Sequence, residues 1–283
     1  MKKKGFTLIE LMVAIFIFLL ILTFIYATYT GILFNYKDIG KQLETQTQTV
    51  PALNILRLDI EHAGYGLASD EPNKPIEWDG TSLTIRSTIN STRNKTIGWE
   101  LVKCDNSSFQ VLSTEGSIDN NSKVVWIDAK NDNKFIANGT ANTCPGNFDL
   151  LLGFPYEDNV SNGCSKQFCN QIVYSLSSDQ NIPTCNKDTR NLLRKVGSSN
   201  GEPILNCVGG FDVIIDNVSK PTLVNVYILL QEGQKKRDYN FGNSVLSEDS
   251  ISFDLSKITD YQHYRWKVIK ISVKPMSEYR SYP

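Results

Sequence analysis

Six cysteines, Cys104, Cys144, Cys164, Cys169, Cys185 and Cys207, are the residues of this 283-residue chain with the most obvious covalent chemistry. Thiols can pair as disulfides or, as thiolates, hold zinc. A zinc site needs closely spaced Cys or Cys/His ligands. The sequence has no Cys-x-x-Cys and only two histidines, His62 and His263. Disulfides in an oxidising compartment are the better reading, and no metal is expected. The connectivity stays open, although proximity favours Cys164 with Cys169 and Cys185 with Cys207, leaving Cys104 for Cys144. "DAKNDNK", from Asp128 to Lys134, suggests a calcium loop but fails its pattern. Lys130 stands at the second ligand position, Asn133 where glycine belongs and Gly139 where the final carboxylate belongs. A polar turn between "KVVWI" and "KFIA" is the simpler reading. "QKKRDY", ending at Tyr239, is a small basic patch and a poor footprint for nucleic acid. No GxSxG, Walker, GxGxxG or HExxH motif is present, so no catalytic residue, cofactor or enzymatic activity is expected.

One carboxylate is out of place. From Phe6 to Ala27 the only charge is Glu10, in a run otherwise apolar or hydroxylic. At about 1.5 Å per residue this run spans roughly the 30 Å of a bilayer core. Lys2, Lys3 and Lys4 precede it and should stay on the cytoplasmic side. The rest, after Thr28, then lies across the membrane. A secretory signal peptide would need a small-x-small cleavage site after the run, and Ala27-Thr28-Tyr29 is a poor one. A plain membrane anchor leaves Glu10 without a purpose, and an intramembrane carboxylate by default marks a function with a partner.

"KKKGFTLIELMVAI", residues 2–15, resembles the processing site of type IV prepilins and pseudopilins. The resemblance implies cleavage between Gly5 and Phe6 by a prepilin peptidase, methylation of the new amine on Phe6, and a role for Glu10 in subunit assembly. "RLDIEHAGYG" (57–66), "IVYSL", "NLLRKV", "ILNCVGGFDVIID" and "YRWKVIKISVKPM" are similar to segments of PilW-type minor pilins. The implied fold is α+β, a long N-terminal helix packed on a β-rich head. Residues 1–5 would be the leader, 6–28 the transmembrane part and 29–66 an amphipathic continuation, with a break at Pro51. Residues 67–283 would be the head. Other minor and major pilins, and the inner-membrane assembly machinery, are the implied partners; nucleic acid is not. The implied location is the inner membrane with the head in the periplasm, then a surface pilus or periplasmic pseudopilus. A type II secretion pseudopilin, or a DNA-uptake or adhesive module on the same anchor, are the rival readings.

The elements that must position these residues are partly legible. After Gly31, Ile32, Tyr36, Ile39, Leu43, Val50, Leu53, Leu56, Ile60 and Ala63 recur mainly at helical spacing. Lys37, Lys41, Glu44, Gln48 and Arg57 occupy the other face, and Gly64 and Gly66 read as stop signals. Beyond them, "SLTIRST", "IGWELVKC", "FQVLST", "KVVWIDA", "NQIVYSL", "FDVIID", "LVNVYILLQ", "SISFDL" and "RWKVIKISVKP" read as strands. The last shows enough alternation to predict one solvated, polar face. No linker separates domains, and the head is large enough to hold inserted subsheets.

Overall fold

The computed structural model describes residues 7–89, 96–105, 108–116, 118–156, 170–197, 199–217 and 222–275. The chain divides into two compact units, Met1–Thr47 and Gln48–Pro283. The sequence reading began the head at Leu67, whereas the second compact unit begins at Gln48 and takes in the last turns of the helix.

Helix α1 (Leu8–Glu61) is 54 residues long and runs through Pro51, where a break was expected. The proline is exposed, while Thr49 and Ala52 on either side are buried. Burial of the adjoining side chains offsets the ~3 kcal/mol that an interior proline can cost. The helix ends at Glu61, and Gly64 (φ 89°) and Gly66 (φ 68°) form the exit turn. The expected apolar stripe is divided. Leu56, Ile60 and Ala63 are buried and Leu53 is half-buried, whereas Ile32, Tyr36 and Val50 are exposed in the single chain.

Fourteen strands follow in the described residues. β1 (Ile76–Trp78), β2 (Ser82–Ser87), β8 (Asn170–Leu176), β9 (Arg190–Val196), β10 (Glu202–Ile215), β11 (Val224–Glu232) and β14 (Arg265–Val273) form an antiparallel seven-stranded sheet in the order β1-β2-β8-β9-β10-β11-β14. Between β2 and β8 the chain builds a second antiparallel sheet. It comprises β3 (Gly98–Asp105), β4 (Ser108–Gly116), β5 (Lys123–Asp128), β6 (Lys134–Thr140) and β7 (Phe148–Tyr156), in the order β4-β3-β7-β5-β6. A hairpin, β12 (Val245–Glu248) and β13 (Ile251–Asp254), is inserted between β11 and β14.

Leu56 and Ile60 pack on one face of the seven-stranded sheet with Leu83, Ile85, Ile172, Tyr174, Leu192, Val226 and Val273. Full burial of a Leu or Ile side chain contributes on the order of 2 kcal/mol. The opposite face is covered at β11 and β14 by the hairpin and the turns after it, through Leu229, Leu255, Ile258, Tyr264 and Trp266. Strand β14 therefore lacks the wholly solvated face its alternation suggested. Ile269, Ile271 and Val273 face the helix side, while Trp266 and Val268 lie under the hairpin.

The hairpin fits because β10 carries Gly209-Gly210. A Cβ on Gly210 would meet Phe253 Cδ1 at 2.5 Å, and one on Gly209 would meet Leu229 and Trp266 at 2.9 Å. The hairpin tip is held by Asp249, whose carboxylate accepts from the Tyr227 hydroxyl at 2.6 Å and pairs with Lys270 at 2.6 Å. Burial, followed by the bond to Asp249, pushes the Tyr227 phenol up to about 12. In the second sheet Glu100 is buried, and its Oε1 has no hydrogen-bond partner among the described residues. Burial holds its pKa above the ordinary carboxylate range.

Gly210→Val should destabilise the head by about 2 kcal/mol through overpacking against Phe253, measured by denaturant unfolding. A second change, Phe253→Ala, should recover part of that loss if the clash is the cause. Glu100→Gln should raise stability at neutral pH and leave it unchanged below about pH 4. The raised folded pKa means the wild type loses stability as pH climbs from the unfolded toward the folded value. A thermal-melt series from pH 4 to pH 8 that keeps the two proteins parallel would refute this.

Candidate functional site

The N-terminal end of α1 is built around Thr7 and Glu10. Leu8 is its first helical residue, so Thr7 is the cap and Glu10 the third position. The Thr7 N–H donates to Glu10 Oε2 at 2.8 Å, and the Thr7 hydroxyl donates to the same oxygen at 2.9 Å. In return the Glu10 N–H reaches the Thr7 hydroxyl oxygen at 3.4 Å. This is a capping box, which satisfies backbone donors left over at a helix start and places a carboxylate at the positive end of the helix dipole. Thr-x-x-Glu ahead of an apolar run is a legible signal. The sequence reading sought a charged partner for Glu10 and passed over Thr7.

From Leu8 to Leu33 the helix is 26 residues long and apolar enough to cross a membrane. Its aliphatic and aromatic side chains face outward without cover, with Leu8 78% and Phe24 74% exposed. The threonine hydroxyls in the span are satisfied from within. Thr23 donates to the Leu20 carbonyl at 2.8 Å, Thr28 to Phe24 at 2.9 Å, and Thr30 to Tyr26 and Ala27 at 3.0 Å. Backbonding of this kind leaves no threonine hydroxyl to desolvate unpaired in lipid or in an apolar assembly. The processing residues Gly5 and Phe6 lie outside the described residues.

The far end of the helix holds a group that sequence reading did not single out. Asp59 lies on the buried face between Leu56 and Ile60, and its side chain is wholly inaccessible. Arg194 donates through Nε to Asp59 Oδ2 at 2.6 Å and through Nη2 to Oδ1 at 3.1 Å. The Tyr174 hydroxyl donates to Oδ2 at 2.5 Å. Tyr174 and Arg194 are cross-strand neighbours on β8 and β9, so one pair of the sheet receives the helix carboxylate. Burial, and then the Asp59 charge, raise the Tyr174 phenol well above its ordinary range and keep it a donor. The signal was a carboxylate on the apolar stripe. Arg57 and Glu61 pair with each other at 2.7 Å. Burial lowers the pKa of His62, with Asp59 and Glu61 opposing.

The exit turn then binds the second sheet. Tyr65 donates to the Gly98 carbonyl at 2.6 Å, and its ring meets Phe154 edge-on at 5.1 Å. Gly66 has φ 68°, and a Cβ there would meet Thr88 Oγ1 at 2.4 Å. Cys104 on β3 is bonded to Cys144, and Cys185 to Cys207 at the middle of β10, with Cα separations of 5.6 and 5.1 Å. Cys164 and Cys169 lie outside the described residues.

Asp128–Lys134 forms the turn of the β5–β6 hairpin, where Asp128 Oδ1 accepts from the backbone N–H groups of Lys130 and Asn131. Lys130 pairs with Asp149 at 2.6 Å. Among the described residues no cluster of three or more His, Cys, Asp or Glu side chains could hold a metal ion. In the basic turn, Lys235 pairs with Asp260 at 2.6 Å. His263 lies 3.1 Å from the Tyr239 carbonyl through Nδ1.

Residues 1–26 match the prokaryotic N-terminal methylation motif. No curated protein and no solved structure matches the chain. The matched residues contain Gly5, Phe6 and the Thr7–Glu10 box and run through most of the membrane-compatible span. In that segment the chain is similar to type IV prepilins and pseudopilins, whose members are structural subunits processed at this motif.

Proposed function

We propose that this protein is a structural subunit of a type IV pilus-like assembly, held in the inner membrane by α1 and entering the filament as a minor component. The N-terminal methylation motif, set on a capped apolar helix, carries the reading. A prepilin peptidase would cut between Gly5 and Phe6, and the new amine would be methylated. The head would lie in the periplasm first and at the surface of the assembly later. Its two sheets and inserted hairpin make a large head, which suits a minor component better than a repeated one. The protein acts through contacts with other pilins and with the assembly machinery, and it catalyses nothing itself.

Glu10 then has two roles that can be separated. Within the chain it completes the capping box. In an assembly, its carboxylate would neutralise the methylated amine of a neighbouring helix, since an unpaired charge in an apolar core is costly. A subunit at the extreme tip has no more distal amine to meet, so this protein would sit near the tip beneath at least one other subunit.

Intact-mass analysis should find a mature chain beginning at Phe6 with one added methyl group. A chain beginning after Ala27 would return the segment to an ordinary signal peptide. Glu10→Gln keeps a capping side chain but removes the charge, whereas Glu10→Leu removes both. Both variants should insert and be cleaved, and both should be recovered with partner pilins at about a tenth of the wild-type yield or less if charge neutralisation is worth about 1.4 kcal/mol. Wild-type recovery of Glu10→Gln with loss of Glu10→Leu would show that capping is the whole role.

A further inference from the structure

A chain that is held by an apolar helix and carries a separate head passes any pull on the head through the junction between them. That junction contains two kinds of contact. Ala52, Leu56 and Ile60 meet the seven-stranded sheet through apolar surfaces. Such contacts are non-directional, so they resist removal into water but oppose sliding weakly. Asp59 is different. Three hydrogen bonds from two strands converge on its two oxygens, at 2.5, 2.6 and 3.1 Å, in a site closed to water. Hydrogen bonds weaken steeply with misalignment. A displacement of the helix along the sheet by one residue rise, about 1.5 Å, would break all three and pull the Asp59 carboxylate away from its donors.

The placement fits this role. Asp59 lies in the last turn of α1, after Ala52 and Leu56 in chain order and two residues before the helix ends at Glu61. Detachment of the helix from its N-terminal side would pass the apolar contacts first and reach Asp59 before the exit turn. Tyr174 and Arg194 belong to β8 and β9, interior strands with β2 and β10 on either side. A load arriving at Asp59 is therefore shared across the sheet ladder.

We propose that Asp59, Tyr174 and Arg194 form a shear clamp that transmits tension from helix α1 into the seven-stranded sheet. That such tension arises in use rests on the function proposed above; the clamp itself does not, because the test supplies the force. The mature full-length chain in detergent micelles would be held in optical tweezers by peptide tags in two arrangements. In the first, tension runs from the N-terminus to the C-terminus and so enters through α1. In the second, tags at the exposed bends around Gly80 and Gly242 load the head without the helix. Asp59→Asn should raise the helix-detachment rate at matched force by about a hundredfold in the first arrangement, the scale expected for breaking one partner of a buried pair, and change the second little. Because Asp59→Asn can leave the head unfolded, the decisive variant replaces all three groups by apolar ones, Asp59→Leu with Tyr174→Phe and Arg194→Met. Such replacement commonly preserves stability. It should keep the thermal midpoint within a few degrees of wild type yet detach at least about tenfold faster under load through α1, since the directional bonds are gone. An apolar variant that holds like wild type, or one that weakens equally in both arrangements, overturns the proposal. So does failure of the apolar variant to fold, which would make the triad an element of folding rather than a clamp.

Discussion

A carboxylate with no access to water must be met by donors or be neutralised, and Asp59 is met by three. That constraint organises the head. The carboxylate belongs to the helix and the donors belong to β8 and β9, so the bonds form only when the helix lies at one height and one rotation on the sheet. The apolar contacts around them would tolerate small slides; the ion pair does not. A buried pair of this kind adds little net stability over apolar residues of similar volume, but loss of one partner typically costs about 3–5 kcal/mol. Its value lies in making one packing much better than its neighbours.

The same requirement for close fit recurs on the other face of the sheet. A strand with two consecutive glycines is locally weak, because glycine has no side chain to pack and loses much entropy on ordering. Here Gly209 and Gly210 leave bare backbone, and Phe253, Leu229 and Trp266 fill the space. The Asp249 carboxylate fastens the hairpin tip to Tyr227 and Lys270. The bond between Cys185 and Cys207 ties the loop before β9 to the strand that carries the glycine pair. Weakness within one strand is thus offset by an insertion from a distant part of the chain.

Helix α1 answers two different surroundings along its length. Toward the N-terminus its apolar side chains are uncovered, the Thr7–Glu10 box caps the helix start, and the threonine hydroxyls bond back to the helix carbonyls. Past Gln48 one face is apolar and buried, and the exposed side carries Asn54 and Arg57 together with a few hydrophobic residues. The two stretches share a helix but obey different rules: a span meant for an apolar medium needs internal hydrogen bonding, and a stretch packed on a sheet needs a complementary face.

What the sequence determined by itself was whatever depends on local order. The basic leader, the uninterrupted apolar run and the place of Glu10 are contiguous, so the match over residues 1–26 could be anticipated from a few side chains. Short alternating strands such as β2 and β3 were legible for the same reason. Strand β7 was not, because it lies in the middle of its sheet with Leu151 to Phe154 buried, and it reads as a plain apolar run containing Gly153 and Pro155. The first half of β10 was obscured by Pro203, which the fold tolerates because that half pairs with β9 but not with β11. Pro51 looked like a break, and only burial of the turns around it kept the helix whole. Asp59 was visible as a charge on an apolar stripe, but its partners lie 115 and 135 residues away. Local spacing can report that a buried charge needs an answer. Which residues supply that answer depends on strand order, and strand order is decided by long-range packing.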